Sequence, residues 1–358
     1  MLLVTFHGGP SGINNVHAYD KHGTLVTKAA LEDPKHGKLS ELRAMVLANG
    51  LLYVANGAKS ESTVLAYTLP KSSPPFKYAG TLIERTPSKK GPFETSIAHP
   101  FGIAFESAKS CYVSNQDTNV VSLVSVSADG LSGSLGKGCQ SPYLNKLFAN
   151  GTFLDGTFVA SQVGTLPDVS IEATAVDHKH GGLGVSIDGS GKVKVQNSVR
   201  DVAIANGILF VCNEPEKVVD LYTVSDGSYL GPSNKLNASP THFAIDHGGL
   251  YVSAGPSLYW AQLPQNPSLA SLPLQPISMV VPPSPGEKIG GIAFNGDGSK
   301  VYLPFQQGTG GDNPGGSIFS YSLSQPSPSQ LPTLSNAVAL VSSLKDTPEF
   351  VLHWSGGS

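Results

Sequence analysis

A phrase of the form apolar–Tyr/Phe–Val–small–Asn recurs along this chain and constrains its fold more than any other feature. It reads LYVAN at 52–56, CYVSN at 111–115 and LFVCN at 209–213, with weaker copies LYVSA at 250–254 and VYLPF at 301–305. Each copy follows a second apolar run: AMVL at 44–47, GIAF at 102–105, DVAI at 201–204, HFAI at 242–245 and GIAF at 291–294. A supersecondary unit of this kind cannot bury its apolar faces alone, so its copies must stack or close into a ring.

Taking the first run as strand a and the Tyr-Val phrase as strand b, later segments supply strands c and d. These are TVLAY at 63–67 and YAGTLI at 78–83, VVSLVSV at 120–126, and VVDLYTV at 218–224 followed by GSYL at 227–230. Short alternating strands separated by Gly, Asn, Asp and Pro turns predict four-stranded antiparallel blades. The segments LLVTFH at 2–7 and NVHAYD at 15–20 read as strands b and c of a blade lacking its strand a, which EFVLH at 349–353 can supply. Such a shared blade removes exposed edges by closing the ring. The expectation is an all-β propeller forming one domain over 1–358, with its first blade shared between 1–36 and about 345–355. FVASQ at 158–162 serves as strand b of a further blade, making seven; the alternative is six, with 130–198 as an insertion.

Composition agrees with an all-β chain. Gly 40 and Pro 27 accompany only 14% charged residues, and the one stretch of helical spacing, KLSELRAM at 38–45, runs into a strand pattern. A net charge of −3 provides no basic field, so nucleic acid and anionic membrane are not expected partners. No apolar run is long enough for a membrane helix, and MLLVTFHGG reads as a strand rather than a signal peptide. The expected protein is soluble and monomeric, either cytoplasmic or secreted after removal of a signal. Cys111 and Cys212 fall within repeat strands, as small buried apolar groups do, whereas Cys139 lies in a Gly/Ser loop. The DHKH stretch at 177–180 lacks a third ligand at a diagnostic spacing and reads as an exposed turn. The Ser/Pro/Gln stretch at 323–333 reads as a loop.

In a propeller, the start of strand a and the end of strand b meet at one rim of the central channel. Just before each a-strand core stand Arg43, Phe101, Arg200, Thr241 and Gly290; one step further stand Ala44, Gly102, Asp201, His242, Gly291 and Glu349. After strand b stand His7, Gly57, Gln116, Gln162, Glu214, Gly255 and Gln306, and His99 lies just upstream of its strand a. Convergent polar groups at a concave mouth are the default ligand site. Bland roles are available as well: Asn56, Asn115 and Asn213 suit turn capping, the glutamines can merely solvate the channel, and Arg200–Glu214 can be a structural ion pair.

The segment VRDVAI…FVCNE at 199–214 resembles a blade of the YVTN/lactonase class of seven-bladed propellers, which includes 6-phosphogluconolactonases and carboxy-muconate lactonising enzymes. In that resemblance Arg200 takes the place of the functional arginine and Glu214 that of the glutamate. HPFGIAF at 99–105 is similar to the family's two-histidine blade, with His99 kept and Phe101 where the second histidine stands. The resemblance implies a lactonase-like or lactone-forming enzyme acting on a small anionic metabolite, without a cofactor. Glu214, His99 and Arg200 would be catalytic, and Arg43, His7, Gln116, Gln162, His242, Gln306 and Phe101 would bind substrate. Arginine offers a planar fork for a carboxylate or phosphate, and a carboxylate or imidazole can move the proton. Two alternatives stand beside it. One is a non-catalytic propeller binding a small molecule or sugar. The other is a hydrolase using channel-bound Ca²⁺ or Mg²⁺, held by oxygens of Asp201, Glu214, Glu349, Gln116 and Gln306.

Overall fold

The computed structural model describes residues 1–7, 13–57, 61–85, 97, 99–116, 120–135, 199–214, 216–225, 227, 229–307, 315–324 and 331–356, with the backbone of four short strands between 151 and 195. The chain forms a β-propeller whose described blades number six. Blade 1 pairs Thr347–His353 with Leu2–His7, His17–Tyr19 and Leu25–Thr27. Blade 2 comprises Leu42–Ala48, Leu51–Asn56, Thr63–Thr68 and Lys77–Glu84. Blade 3 comprises Pro100–Ser107, Ser110–Asn115, Val120–Val126 and Gly133–Leu135. Blade 4 comprises Val199–Ala205, Ile208–Asn213, Val218–Thr223 and Tyr229–Pro232, and blade 5 Pro240–Asp246, Gly249–Ala254, Ser257–Gln262 and Gln275–Pro276. In blade 6 the inner strand is split into Lys288–Ile289 and Ala293–Phe294, followed by Lys300–Gln306, Gly316–Leu323 and Leu334–Leu344.

The inner strands meet in a closed cycle. Arg43 of blade 2 reaches Glu349 of blade 1, and Glu41 just ahead of blade 2 reaches His99 ahead of blade 3. A Cβ on Gly102 of blade 3 would lie 2.3 Å from Asp201 Oδ1 of blade 4, so these two blades are direct neighbours. The Phe243 amide of blade 5 donates to Asp201, Ile289 of blade 6 donates to the Gly255 carbonyl, and Gly291 donates to Glu349 of blade 1. Blades 3 and 4 leave no gap for a blade between them. Among the described residues the ring therefore has six blades. The segment read from sequence as a blade strand, FVASQ at 158–162, overlaps Thr157–Ala160, which pairs with Gly151–Leu154 in a two-stranded sheet. The KLSELRAM stretch enters the blade 2 inner strand at Leu42 without a helix.

Each part of the recurring phrase has its own task. Its aromatic residue lies against the inner strand of the following blade: Tyr53 on Phe105 at 4.6 Å, Tyr251 on Phe294 at 4.9 Å and Tyr302 stacked on His353 at 5.4 Å. Such pairs add about 0.5–1.5 kcal/mol beyond their buried area. The Asn closes the b–c turn by donating to an oxygen seven residues on: Thr63 for Asn56, Ser122 for Asn115 and Asp220 for Asn213. The small residue stands opposite a β-bulge. In blades 1–4 two inner-strand residues oppose one: Glu349–Phe350 against Thr5, Arg43–Ala44 against Ala55, Phe101–Gly102 against Ser114, and Arg200–Asp201 against Cys212. Blade 5 has Thr241–His242 against Ser253. The bulge frees an amide from the ladder. The small residue recovers it: Gly102 donates to Ser114 Oγ at 2.8 Å, Phe350 to Thr5 Oγ1 at 3.2 Å, and Asp201 to the Cys212 sulfur. Cys111 and Cys212 are both free and buried.

Candidate functional site

The bulges re-aim the rim. At the first bulge position stand Arg43, Phe101, Arg200, Thr241 and Glu349, with Gly290 at the break in blade 6; at the second stand Ala44, Gly102, Asp201, His242, Phe350 and Gly291. Glu349 therefore belongs one place earlier than its sequence alignment suggested, and Phe350 takes the inner place. The one-residue error arises because blade 1 is assembled from both chain ends and offers no continuous a–b spacing to count.

Three rings from alternate blades fill the channel below the rim. Phe350 lies 4.5 Å from His242 and 5.2 Å from Phe101, and His242 lies 5.5 Å from Phe101. All three are buried. Burial holds the His242 imidazole at a pKa of about 4, with the positive charges of Arg200 and Arg43 acting in the same direction and Glu349 opposing them. Its Nδ1 meets Thr241 Oγ1 at 3.0 Å. Phe101 and His242, expected as ligand contacts, are thus the floor of the mouth. Asp201 lies within this layer, its carboxylate accepting from the Phe243 and Val202 amides at 2.9 Å each. Burial raises its pKa to about 7 against the pull of those two amides.

Above the floor, Arg43 is the centre of a charge cluster. Its guanidinium is 1% exposed; Nη1 donates to Glu349 Oε2 at 2.8 Å and Nη2 lies 3.5 Å from Glu41 Oε2. Glu349 also meets His7 Nδ1 at 3.0 Å through the same oxygen. Burial pushes the Glu349 carboxyl up, but Arg43 and then His7 outweigh it and hold it far below the usual carboxylate range. Glu41 Oε2 lies 3.1 Å from His99 Nε2. That hydrogen bond, ahead of the charges of Arg43 and His99 and against burial, lowers the Glu41 pKa. Arg43 Nη2 lies 3.4 Å from the same His99 nitrogen. A guanidinium can only donate and an ionised carboxylate can only accept. The shorter, charge-assisted contact therefore places a proton on His99 Nε2, shared toward Glu41.

Glu41 and His99 occupy the same position in neighbouring blades, one residue before the inner strand. Both have left-handed backbone, φ 50° and 55°. Non-glycine residues are rarely held there, and such strain concentrates at functional sites. Their carbonyls accept from Gly57 and Gln116, the equivalent residues after strand b. Gly57 is needed where it stands: a Cβ would lie 2.7 Å from His99 Cδ2 and 2.9 Å from the Glu41 carbonyl. Sequence reading missed Glu41. Moving the blade alignment two columns upstream of Arg43 and Phe101 places it beside His99.

On the other side of the mouth Arg200 donates from Nε to Glu214 Oε2 at 2.8 Å, and its guanidinium carbon lies 5.3 Å from the Phe101 ring centre. Both side chains are partly exposed, 19% and 29%. Gln306 donates to the Pro348 carbonyl at 2.9 Å, binding blade 6 to blade 1 rather than solvating the channel. Buried polar atoms of the rim and floor lacking a partner among the described residues include Arg43 Nε, Gln116 Oε1 and His242 Nε2. Gln162, Cys139 and the 177–180 stretch lie outside the described residues. The structure therefore brings His7, Arg43 and His99 together, keeps Arg200 and Glu214 as a separate pair, and puts Phe101 and His242 beneath. The oxygen set considered for Ca²⁺ or Mg²⁺ is dispersed: Asp201 is occupied by amides, Glu349 by Arg43 and Glu214 by Arg200. Among the described residues no group of three or more His, Cys, Asp or Glu side chains is arranged to hold a metal ion.

No protein-family model matches the chain, and comparison with curated proteins finds no match. Among solved structures it is similar to a protein from Lactobacillus plantarum, at TM-score 0.51 and 13% identity over 94% of this chain and 81% of that one. A nidogen–laminin complex has TM-score 0.49 at 10% identity, covering 98% and 97% of the two chains. A candidate 6-phosphogluconolactonase from Bacteroides uniformis has TM-score 0.48 at 10% identity, covering 94% and 81%. Likeness to the Lactobacillus protein at such low identity speaks for the propeller fold and for nothing finer.

Proposed function

We propose that the channel mouth is the site of a lactonase-type enzyme acting on a small lactone or related ester that carries an anionic group. The observation that carries this reading is the Glu41–His99 pair, two strained residues from neighbouring blades closed to 3.1 Å. Arg200 is the anchor for the anionic group. Glu214 occupies its Nε and Phe101 supports its face, which leaves the terminal nitrogens as a fork for a carboxylate or phosphate. Glu214 then acts through Arg200 and does not itself take the proton. His99, oriented by Glu41, delivers a proton to the departing oxygen. Arg43 is committed to two carboxylates and holds the cluster together rather than binding substrate.

A panel of sugar-acid and simple lactones followed by acid release tests the reading. The parent should open at least one of them. His99→Gln should lower kcat by about 10²–10⁴-fold, the usual worth of a positioned proton donor. Arg200→Met should weaken kcat/KM by about 10–150-fold, as expected for a lost charge-assisted contact. Parent-like turnover by both variants removes the assignment. A second reading, a propeller that binds a neutral polyol or sugar, is favoured by the carboxylate partners already on both arginines. Equilibrium binding of neutral sugars with no lactone turnover would select it.

A further inference from the structure

We propose that His7 is a second proton-transfer group of this mouth, the one that activates water, and that the reaction is accordingly hydrolytic ring opening. The proposal rests on the lactone reading of the site given above. His7 ends the strand Leu2–His7 in blade 1, at the position where Glu214 and Gln116 stand in blades 4 and 3. Its Nδ1 lies 3.0 Å from Glu349 Oε2, which also receives Arg43 Nη1 at 2.8 Å. Glu349 is buried, whereas the His7 side chain is 33% exposed. Because the paired carboxylate can only accept, Nδ1 of His7 must carry the hydrogen. The neutral ring then has its lone pair on Nε2. A buried carboxylate fixing one imidazole nitrogen while the other serves as base is a general arrangement for activating a hydroxyl or a water.

The two imidazoles of the mouth are thereby committed in opposite senses. His99 has its Nε2 tied to Glu41, and His7 has its Nδ1 tied to Glu349, with Arg43 touching both carboxylates. In the proposed step a water proton passes to His7 Nε2 while the water oxygen bonds to the lactone carbonyl carbon. The ring C–O bond then breaks, and the departing oxygen takes its proton from Nδ1 of doubly protonated His99, whose Nε2–H stays on Glu41. The product is the open hydroxy acid; His7 releases its extra proton to solvent and His99 takes one up. This device is built from both ends of the chain and exists only when the ring is closed.

Nitrogen-15 NMR of the whole chain, with the His7 signals assigned by their loss in His7→Gln, tests the tautomer without requiring activity. Neutral His7 is expected as the Nδ1–H tautomer, and Glu349→Gln should abolish that single form. A parent ring in the Nε2–H form overturns the proposal. In the lactone assay, His7→Gln should lower kcat by about 10²–10⁴-fold with KM within about twofold, while thermal unfolding stays near that of the parent. Parent-like kcat in His7→Gln, with His99→Gln still impaired, overturns the role of His7 and leaves the lactone site standing. A parent that opens no lactone removes both.

Discussion

Arg43 shows how far a residue's role depends on what surrounds it. In sequence it is an arginine at a rim position, equivalent to Arg200; in the structure it is enclosed and paired with carboxylates, while Arg200 is partly exposed. Removing it by Arg43→Met leaves Glu349 buried beside His7 alone. Breaking a buried pair in this way costs about 3–5 kcal/mol, so urea unfolding should register a loss of that size. Arg43→Met/Glu349→Leu should recover much of the loss. The buried titratable groups yield a second prediction. Asp201 has its pKa raised to about 7, so its contribution to stability is full below its ordinary value of 3.8 and is lost as pH rises through 7. His242 has its pKa lowered to about 4, so its contribution is full above 6.5 and is lost as pH falls through 4. Between about pH 4 and 6.5 the two slopes oppose each other. Asp201→Asn should make Tm rise with pH across that window, and His242→Phe should make it fall. Parallel slopes in the two variants would refute the assignment. Glu349 acts lower: its depressed pKa adds stability above its ordinary value of 4.5 that disappears on further acidification. None of these burials could be read from residue type, since Arg43 and Arg200, or Asp201 and Glu214, look alike on a one-dimensional rim.

At the scale of the element, the inner-strand bulge is the unit that turns a repeat into a site. It was not foreseen, although its trace is in the phrase itself: the small residue before the Asn is Ala, Ser or Cys because it must face a freed amide. Where that residue accepts a hydrogen bond, losing the acceptor should matter. Ser114→Ala orphans the buried Gly102 amide and should cost about 1–3 kcal/mol, whereas Cys212→Ser preserves an acceptor and should be near neutral in chemical denaturation. Gly57→Ala should act on the site: its Cβ collides with the His99 ring and the Glu41 carbonyl. Overpacking of this kind costs about 1–3 kcal/mol and would shift His99 from Glu41. Activity should fall further than Tm predicts, and recovery of His99 geometry in a crystal of the variant would contradict this. The b strands of the six described blades, the c strands of blades 1–4 and the d strands of blades 2 and 4 were legible to within a residue or two because alternation and turn residues are local signals. Glu41 was not, because its strained conformation is imposed by contacts with the neighbouring blade.

Over the whole molecule, closure by Thr347–His353 beside Leu2–His7 joins the two ends of the chain. Ending the chain at Asp346 removes that inner strand, together with Glu349 and Phe350, and leaves Leu2–His7 without its ring-side partner. Such a variant should lose the single cooperative unfolding transition of the parent; a parent-like transition by circular dichroism would show that closure is dispensable. The sequence by itself determined the blade unit and the shared terminal blade, because hydrophobic period and turn chemistry are written locally. It could not decide between six and seven blades. That depended on whether the inner strands of blades 3 and 4 touch, a contact between residues about a hundred positions apart, and Gly102 against Asp201 settles it. Nor could it tell which rim charges neutralise one another. Pairing depends on distances of about 3 Å across blades, where burial and partner, not residue type, decide the charge each group presents.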